Sequence, residues 1–164
     1  QGDNTIEFDL YSRNNLNGDL LGTVARNFTI IDDISGSLDI DVALFDADTD
    51  ELLTPLEEGD EILASTLAGK NVTIASFVPD DSLLFGQVES MFLDLNDGQV
   101  TQTENVEPYA LFGNNGNNYR GGGVGLLPQG DNTIEFDLYS RNNLNGDLLG
   151  TIARNFTIVD DLGV

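Results

Sequence analysis

Carboxylates at alternate positions make residues 46–51 (DADTDE) the segment of this chain best suited to hold a cation. The candidate ligands are Asp46, Asp48, Asp50 and Glu51. Calcium takes about six to eight oxygen ligands, and closely spaced aspartates supply several of them from one turn. An EF-hand loop, however, needs a glycine after its third aspartate, and Glu51 stands there instead. Two interpretations stay open: a calcium site, or an acidic strand end solvated by water.

The loop 113–125 (GNNGNNYRGGGVG) is the other segment with binding chemistry. Tyr119 can stack on a sugar ring, and Arg120 can donate hydrogen bonds to its hydroxyl groups. The segment has neither the Gly-Lys-Ser/Thr of a phosphate-binding loop nor a dinucleotide fingerprint. The alternative interpretation is a flexible crossover between two sheets, because glycine and asparagine relax backbone geometry.

The residue types that the chain lacks exclude several kinds of catalytic site. Its 164 residues include no cysteine and no histidine. Disulfides, thiolate zinc sites, cysteine nucleophiles, Ser-His-Asp triads and imidazole metal ligands are therefore excluded. A pair of carboxylates at glycosidase spacing carries no weight among 29 acidic residues, and no tryptophan is present to form a sugar platform. The sequence predicts no enzyme.

The net charge of the chain excludes some kinds of binding partner. The 29 acidic and 6 basic side chains give a formal charge of −23, which repels nucleic acids and anionic lipid headgroups. No apolar run approaches the roughly 18–20 residues that span a bilayer, so no membrane insertion is expected of these residues. The negative charge favours the binding of cations and the solubility of the chain in water.

A near-identical repeat dominates the organisation of the chain. Residues 1–34 recur as residues 129–162, an offset of 128 positions. The three differences each exchange one aliphatic residue for another: Val24/Ile152, Ile31/Val159 and Ile34/Leu162. A period of this length suits an array of whole domains better than a solenoid.

The repeat predicts three segments. Residues 35–162 form one complete unit, residues 1–34 form the closing hairpin of a preceding unit, and residues 163–164 begin the next linker. A lone hairpin is marginal in water, so residues 1–34 need a partner. That partner is either a preceding copy or a neighbouring subunit that takes the hairpin by strand addition.

Four further carboxylates flank the predicted joint between units. They are Asp32, Asp33, Asp39 and Asp41. Like charges this close repel one another unless water, salt or a cation screens them. Either calcium at this joint stiffens the array, or the charges keep similar units from misassembling through their strand edges.

Alternating polar and apolar residues predict a strand-rich fold. The pattern is clear in residues 38–45, 71–77, 88–95, 133–139 and 155–159, and residues 61–68 are the only helix candidate. Turn sequences separate these runs, among them Asn145-Gly146, which predicts a tight hairpin turn because both residues tolerate positive φ. The fold class predicted is all-β: an antiparallel immunoglobulin-like (Ig-like) β-sandwich in a tandem or head-to-tail array.

The unit also resembles a known kind of module. The resemblance rests on six motifs: DADTD at 46–50, Pro55-Leu56, the segment from Leu63 to Ile74, FLDL at 92–95, TENVEPYALFG at 103–113, and FTIVD at 156–160. These are similar to Ig-like tandem repeats of large secreted bacterial surface proteins, which occur beside malectin-like, kelch and fibronectin-like domains. The Asn/Gly-rich loop 113–127 departs from that pattern. The resemblance implies an extracellular or cell-surface location and a spacer role without catalytic residues.

The function predicted from sequence is therefore structural. The unit is expected to be a non-catalytic structural or adhesive repeat of a stalk, adhesin or filament, with adjacent copies of itself as partners. The competing hypothesis is a calcium-dependent glycan-binding module that uses the acidic turn 46–51 or the loop 113–125. Calcium is the only cofactor that either hypothesis invokes.

Overall fold

The computed structural model describes residues 2–11, 20–30 and 39–161 of the chain. It divides into two compact units, Gln1–Ser37 and Leu38–Val164. In the first unit, β1 (Gly2–Tyr11) and β2 (Leu20–Ile30) pair as an antiparallel two-stranded sheet, with a shift of register between Leu10 and Tyr11.

In the described part of the second unit the regular structure is strand, apart from one helix of four residues and a short 3-10 turn, which confirms the all-β prediction. In chain order the elements are β3 (Asp41–Asp46), β4 (Glu51–Pro55), β5 (Asp60–Leu63), α1 (Ala64–Leu67), β6 (Val72–Phe77), β7 (Ser90–Leu95), β8 (Val100–Glu104), β9 (Tyr109–Ala110), β10 (Asn114–Asn115), β11 (Asn118–Tyr119), β12 (Gly130–Tyr139) and β13 (Leu148–Val159). A short 3-10 turn, Asn142–Leu144, lies between the last two strands. No helix in the part of the chain described here is long and apolar enough to cross a membrane.

Two sheets form the second unit, with a small separate hairpin of β10 and β11. One sheet has five strands in the order β5-β13-β12-β7-β8, and the other has four in the order β4-β3-β6-β9. All their pairs are antiparallel except β5 with β13, which run parallel from Asp60 opposite Phe156 to Leu63 opposite Val159. The wholly antiparallel sandwich expected from sequence is therefore wrong at this edge. Residues 56–59 cross from one sheet to the other, so β5 joins the five-stranded sheet and does not pair with β4.

One hydrophobic core joins the two sheets. The four-stranded sheet contributes Val42, Leu44 and Ile74, and the five-stranded sheet contributes Met91, Leu93, Leu95, Ile134, Phe136, Leu138, Ile152, Phe156 and Ile158. The alternation predicted for 88–95 and 133–139 is confirmed: Met91, Leu93 and Leu95 are buried in the first run, and Ile134, Phe136 and Leu138 in the second. Alternating residues therefore bury one face of each sheet, as expected of a sandwich.

The first strand of this unit begins at one end of the sandwich, here called the entry end. Asp41, the first residue of β3, pairs with Phe77 at the end of β6. Tyr109 lies beside that end of β6, and its hydroxyl donates a hydrogen bond of 3.0 Å to the carbonyl of Val88, just before β7. β7 in turn begins opposite Tyr139, the last residue of β12. The start of β3 and the end of β12 therefore share the entry end.

The last strand leaves from the opposite end, here called the exit end. β12 begins there at Gly130, ten residues from the entry end, and Gly130 pairs with Ile158 near the end of β13. The exposed carboxylate of Asp161, just beyond β13, accepts hydrogen bonds from the amide and hydroxyl of Ser65 in α1. The chain thus enters the unit at one end and leaves it at the other.

The connection between β12 and β13 differs from the predicted tight turn. The loop covers residues 140–147, and its positive φ angles fall at Asn143 (57°) and Leu144 (58°) rather than at Asn145 and Gly146. A Cβ atom at Gly146 would lie 2.4 Å from Ser140 Oγ and 2.5 Å from the Arg141 amide nitrogen. Glycine is therefore required here by close backbone approach, a constraint that dipeptide preference does not reveal.

Candidate functional site

The two binding segments identified from the sequence meet at one place in the second unit. The acidic turn that follows β3 contacts the segment before β6 and the strand β11 of the loop 113–125. We call this group the acidic corner and define it by Asp46, Asp48, Asp50, Lys70, Asn71 and Tyr119. One hydrogen bond of the corner joins Asp50 and Tyr119, which are 69 positions apart in the sequence.

Asp46 is buried at the end of β3 and carries the strongest ionic contact of the corner. Its Oδ2 accepts a hydrogen bond of 3.1 Å from Nζ of Lys70, and its Oδ1 accepts one of 3.2 Å from the amide of Asp48. The hydrogen bond from Lys70 holds the pKa of Asp46 below its usual value, and the charge of the same ammonium adds to that effect. Burial works in the opposite direction but is outweighed.

Asn71 joins the acidic turn to the glycine-rich loop. Its Nδ2 donates to Asp48 Oδ1 at 2.8 Å, and its Oδ1 accepts from the amide of Gly123 at 2.8 Å. Its backbone carbonyl also accepts from the amide of Ala47 at 2.8 Å. At Gly121 an added Cβ would lie 2.1 Å from Asn71 Oδ1, so the loop packs directly on this side chain.

Tyr119 is buried and does not present its ring to solvent. Only 6% of the residue is exposed, and its ring lies 4.6 Å from that of Phe45, centroid to centroid. Its backbone amide donates a hydrogen bond of 2.7 Å to Asp50 Oδ1. Burial raises the pKa of the Tyr119 hydroxyl, and the charge of Asp50 raises it further. The ring packs against Ala75 and Ala110 on the outer face of the four-stranded sheet.

Of the remaining predicted residues, those that the structure describes lie at the rim of the corner or away from it. Glu51 and Arg120 are exposed, and Glu51 pairs with Asp46 only through the strand register of β3 and β4. Asp41 is exposed at the start of β3, and Asp39 Oδ1 lies 3.9 Å from Arg154 Nη2. The predicted ligands Asp32 and Asp33 lie outside the described residues.

The carboxylates of the acidic turn already have protein donors. Asp46 is bonded to a lysine, Asp48 to an amide side chain and Asp50 to a backbone amide. Among residues 39–161 no three acidic side chains come close enough together to form a metal-binding group. Calcium at this corner, and a glycan against Tyr119 and Arg120, stay predictions.

Lys70 and Asn71 are the two corner residues that the sequence interpretation missed. Neither belongs to a recognisable motif, because each acts through residues more than 20 positions away. One indication was available: Lys70 is the only lysine in a chain with 29 acidic residues. A single ammonium in such a chain is a natural partner for a buried carboxylate.

Comparisons with protein-family models, with curated proteins and with solved structures give no match to this chain.

The Asp46–Lys70 pair predicts a defined pH dependence of stability. Because the pKa of folded Asp46 lies below that of the unfolded chain, its contribution is complete above about pH 4 and is lost as the pH falls through the folded pKa. We expect the parent to melt at a higher temperature than Asp46→Asn at pH 6, and the difference to shrink below about pH 4. Thermal melts from pH 6 to pH 2.5 measure this.

Asp41→Asn is the matched control for that series, because it removes one carboxylate from an exposed position at the start of the same strand. A gap between the parent and Asp46→Asn that stays constant over the whole pH range would contradict the proposed ion pair.

Proposed function

We propose that residues 35–162 are a non-catalytic structural repeat with an Ig-like sandwich fold, which links head to tail with copies of itself in an extracellular bacterial surface protein. The observation that carries this proposal is that the first strand of the second unit begins at one end of the unit and its last strand ends at the other. Asp41 begins β3 at the entry end, and Val159 ends β13 at the exit end. A unit crossed from end to end adds its full length to an array.

Three further observations support the proposal. The second unit ends in the hairpin β12–β13, whose sequence recurs almost unchanged in β1–β2 at an offset of 128 residues. The surface is strongly acidic, which keeps neighbouring units soluble and discourages lateral association between similar strand edges. The absence of cysteine and histidine from the sequence removes one strong nucleophile and the most frequent general base.

An array of known length tests the proposal. Chains with one, two and three copies of residues 35–162 after the first hairpin keep the natural period, and small-angle X-ray scattering measures their maximum dimension. The ten residues of β12 span about 33 Å. We therefore expect each added copy to lengthen the particle by at least about 30 Å. Copies that fold back and pack side by side would lengthen it much less, and that result would refute the spacer role.

A further inference from the structure

We propose that the hairpin β1–β2 is an interchangeable copy of the closing hairpin β12–β13, and that it can take the place of that hairpin in the body of a second copy of this chain. The body is defined here as residues 39–128. This inference names the partner surface of the proposed head-to-tail assembly and rests on that function. It makes a separate claim, however, about which strands pair between copies.

The two hairpins have the same register as well as nearly the same sequence. Gly2 pairs with Ile30 as Gly130 pairs with Ile158, and Phe8 pairs with Val24 as Phe136 pairs with Ile152. The shift of register falls after Leu10 in one and after Leu138 in the other. Between residues 2–30 and 130–158 the only difference is Val24 for Ile152, a single methylene group. A body that binds one hairpin can therefore bind the other.

The body offers a defined slot to its closing hairpin. β12 pairs with β7 along six residues, and β13 pairs with β5 along four. Between these edges the hairpin buries six apolar side chains: Ile134, Phe136, Leu138, Ile152, Phe156 and Ile158. The residues at the equivalent positions of β1–β2 are Ile6, Phe8, Leu10, Val24, Phe28 and Ile30.

The polar contacts between the body and its closing hairpin involve residues that both hairpins contain. Glu58 of the body accepts hydrogen bonds from the amide and side chain of Asn155, at 2.7 and 3.0 Å. Asn96 Oδ1 accepts from the amide of Thr133 at 2.8 Å. The equivalent positions of the first hairpin are Asn27 and Thr5, so the same donors are available there.

The second unit shows the order in which a body and its closing hairpin follow each other along the chain. In the second unit the closing hairpin completes the body that precedes it in the chain, and only Pro128 and Gln129 separate buried Leu127 from β12. The hairpin β1–β2 stands before the body 39–128, not after it. In a second copy, β1 takes the position of β12 beside β7, and β2 takes that of β13 beside β5.

A disabled closing hairpin in the full chain tests this proposal. In Ile134→Asp with Phe136→Asp, two charges stand at positions that are 0% exposed, so β12 no longer fits its own body. We expect this variant to remain folded by circular dichroism, and light scattering to show a dimer or larger species. Ile6→Asp with Phe8→Asp makes the same changes in the same local sequence and should leave a folded unit. All four changes together should unfold the chain.

A disulfide reports the pairing directly, because the chain contains no cysteine. Asp94 pairs with Glu135 in the second unit, and the equivalent position of the first hairpin is Glu7. Opposed residues of antiparallel strands lie about 4.5–5.5 Å apart, which a disulfide spans. Glu7→Cys with Asp94→Cys should link two chains covalently in the disabled background. In the parent background Glu135 occupies that position, and no link is expected.

Three results would overturn the proposal. The disabled variant could unfold as completely as the fourfold variant, which would mean that β1–β2 does not complete the body. It could fold as a monomer with the disulfide inside one chain, which would assign the hairpin to its own body. The fourfold variant could remain folded, which would mean that the slot needs no hairpin. Scattering from the array measures length only, so the spacer role can fail or survive independently.

Discussion

Replacement of Leu93 by alanine is expected to lower the free energy of unfolding of the second unit by about 2–5 kcal/mol. Leu93 is 0% exposed on β7, which lies between β12 and β8. The change removes buried methyl groups and leaves a cavity that hydrogen-bonded neighbours on both sides cannot close. Urea unfolding with linear extrapolation measures the loss.

The same substitution at Leu52 is the matched control. Leu52 is 56% exposed on β4, so its removal should cost less than about 1 kcal/mol. Leu93 also belongs to the body, of which the chain has one copy, whereas the hairpin is present twice. Exchange of hairpins therefore cannot mask the effect. Equal losses at the two leucines would contradict the packing described for β7.

Replacement of Tyr119 by alanine is expected to cost about 3 kcal/mol of unfolding free energy, toward the lower end of the range for buried aromatic residues. The ring is almost fully buried and stacks on Phe45, so its loss exposes the outer face of the four-stranded sheet. Tyr119→Phe keeps the ring and should change stability by less than about 1 kcal/mol. Thermal and urea unfolding of both variants measure the difference.

This pair of variants also separates packing from ligand binding. A loss of glycan binding in Tyr119→Ala would not identify a ligand contact, because the substitution disturbs the corner itself. Arg120 is exposed, and Arg120→Ala should alter stability by no more than about 0.5 kcal/mol. Binding lost in Arg120→Ala would therefore indicate a ligand contact. If Tyr119→Ala proved as stable as Tyr119→Phe, the loop would not be docked on the sheet.

The strands of the core could be predicted from sequence because alternation is a local property. Side chains along a strand point to opposite faces, so the inward set Ile134, Phe136 and Leu138 follows once a strand is assumed. The outer face of β6 shows the limit of this reasoning. Ala75 is buried as well, because Tyr119 of a distant loop packs against it. Alternation along β6 carries no information about that cover.

The candidate site likewise has a part that could be predicted from the sequence and a part that could not. Asp46, Asp48, Asp50 and Tyr119 were identifiable by residue type, since carboxylates and aromatic rings have recognisable chemistry. Their function within the fold depended on partners that local patterns cannot supply. Asn71 lies 23 residues from Asp48 and 52 from Gly123, and its amide satisfies both. A side chain that bridges two loops is recognisable only when both loops are in place.

Sequence alone determined that the chain carries the same hairpin twice, 128 residues apart, because identity needs no structure to be seen. It also determined the all-β class and the absence of cysteine and histidine chemistry. Only the tertiary structure showed that the hairpin β12–β13 lies between β7 and β5. It also showed that β13 pairs with β5 in parallel, at one edge of the five-stranded sheet. Sheet order depends on contacts between distant segments, which compete through burial and hydrogen bonding in three dimensions. Local propensity favours a strand but does not choose its neighbours.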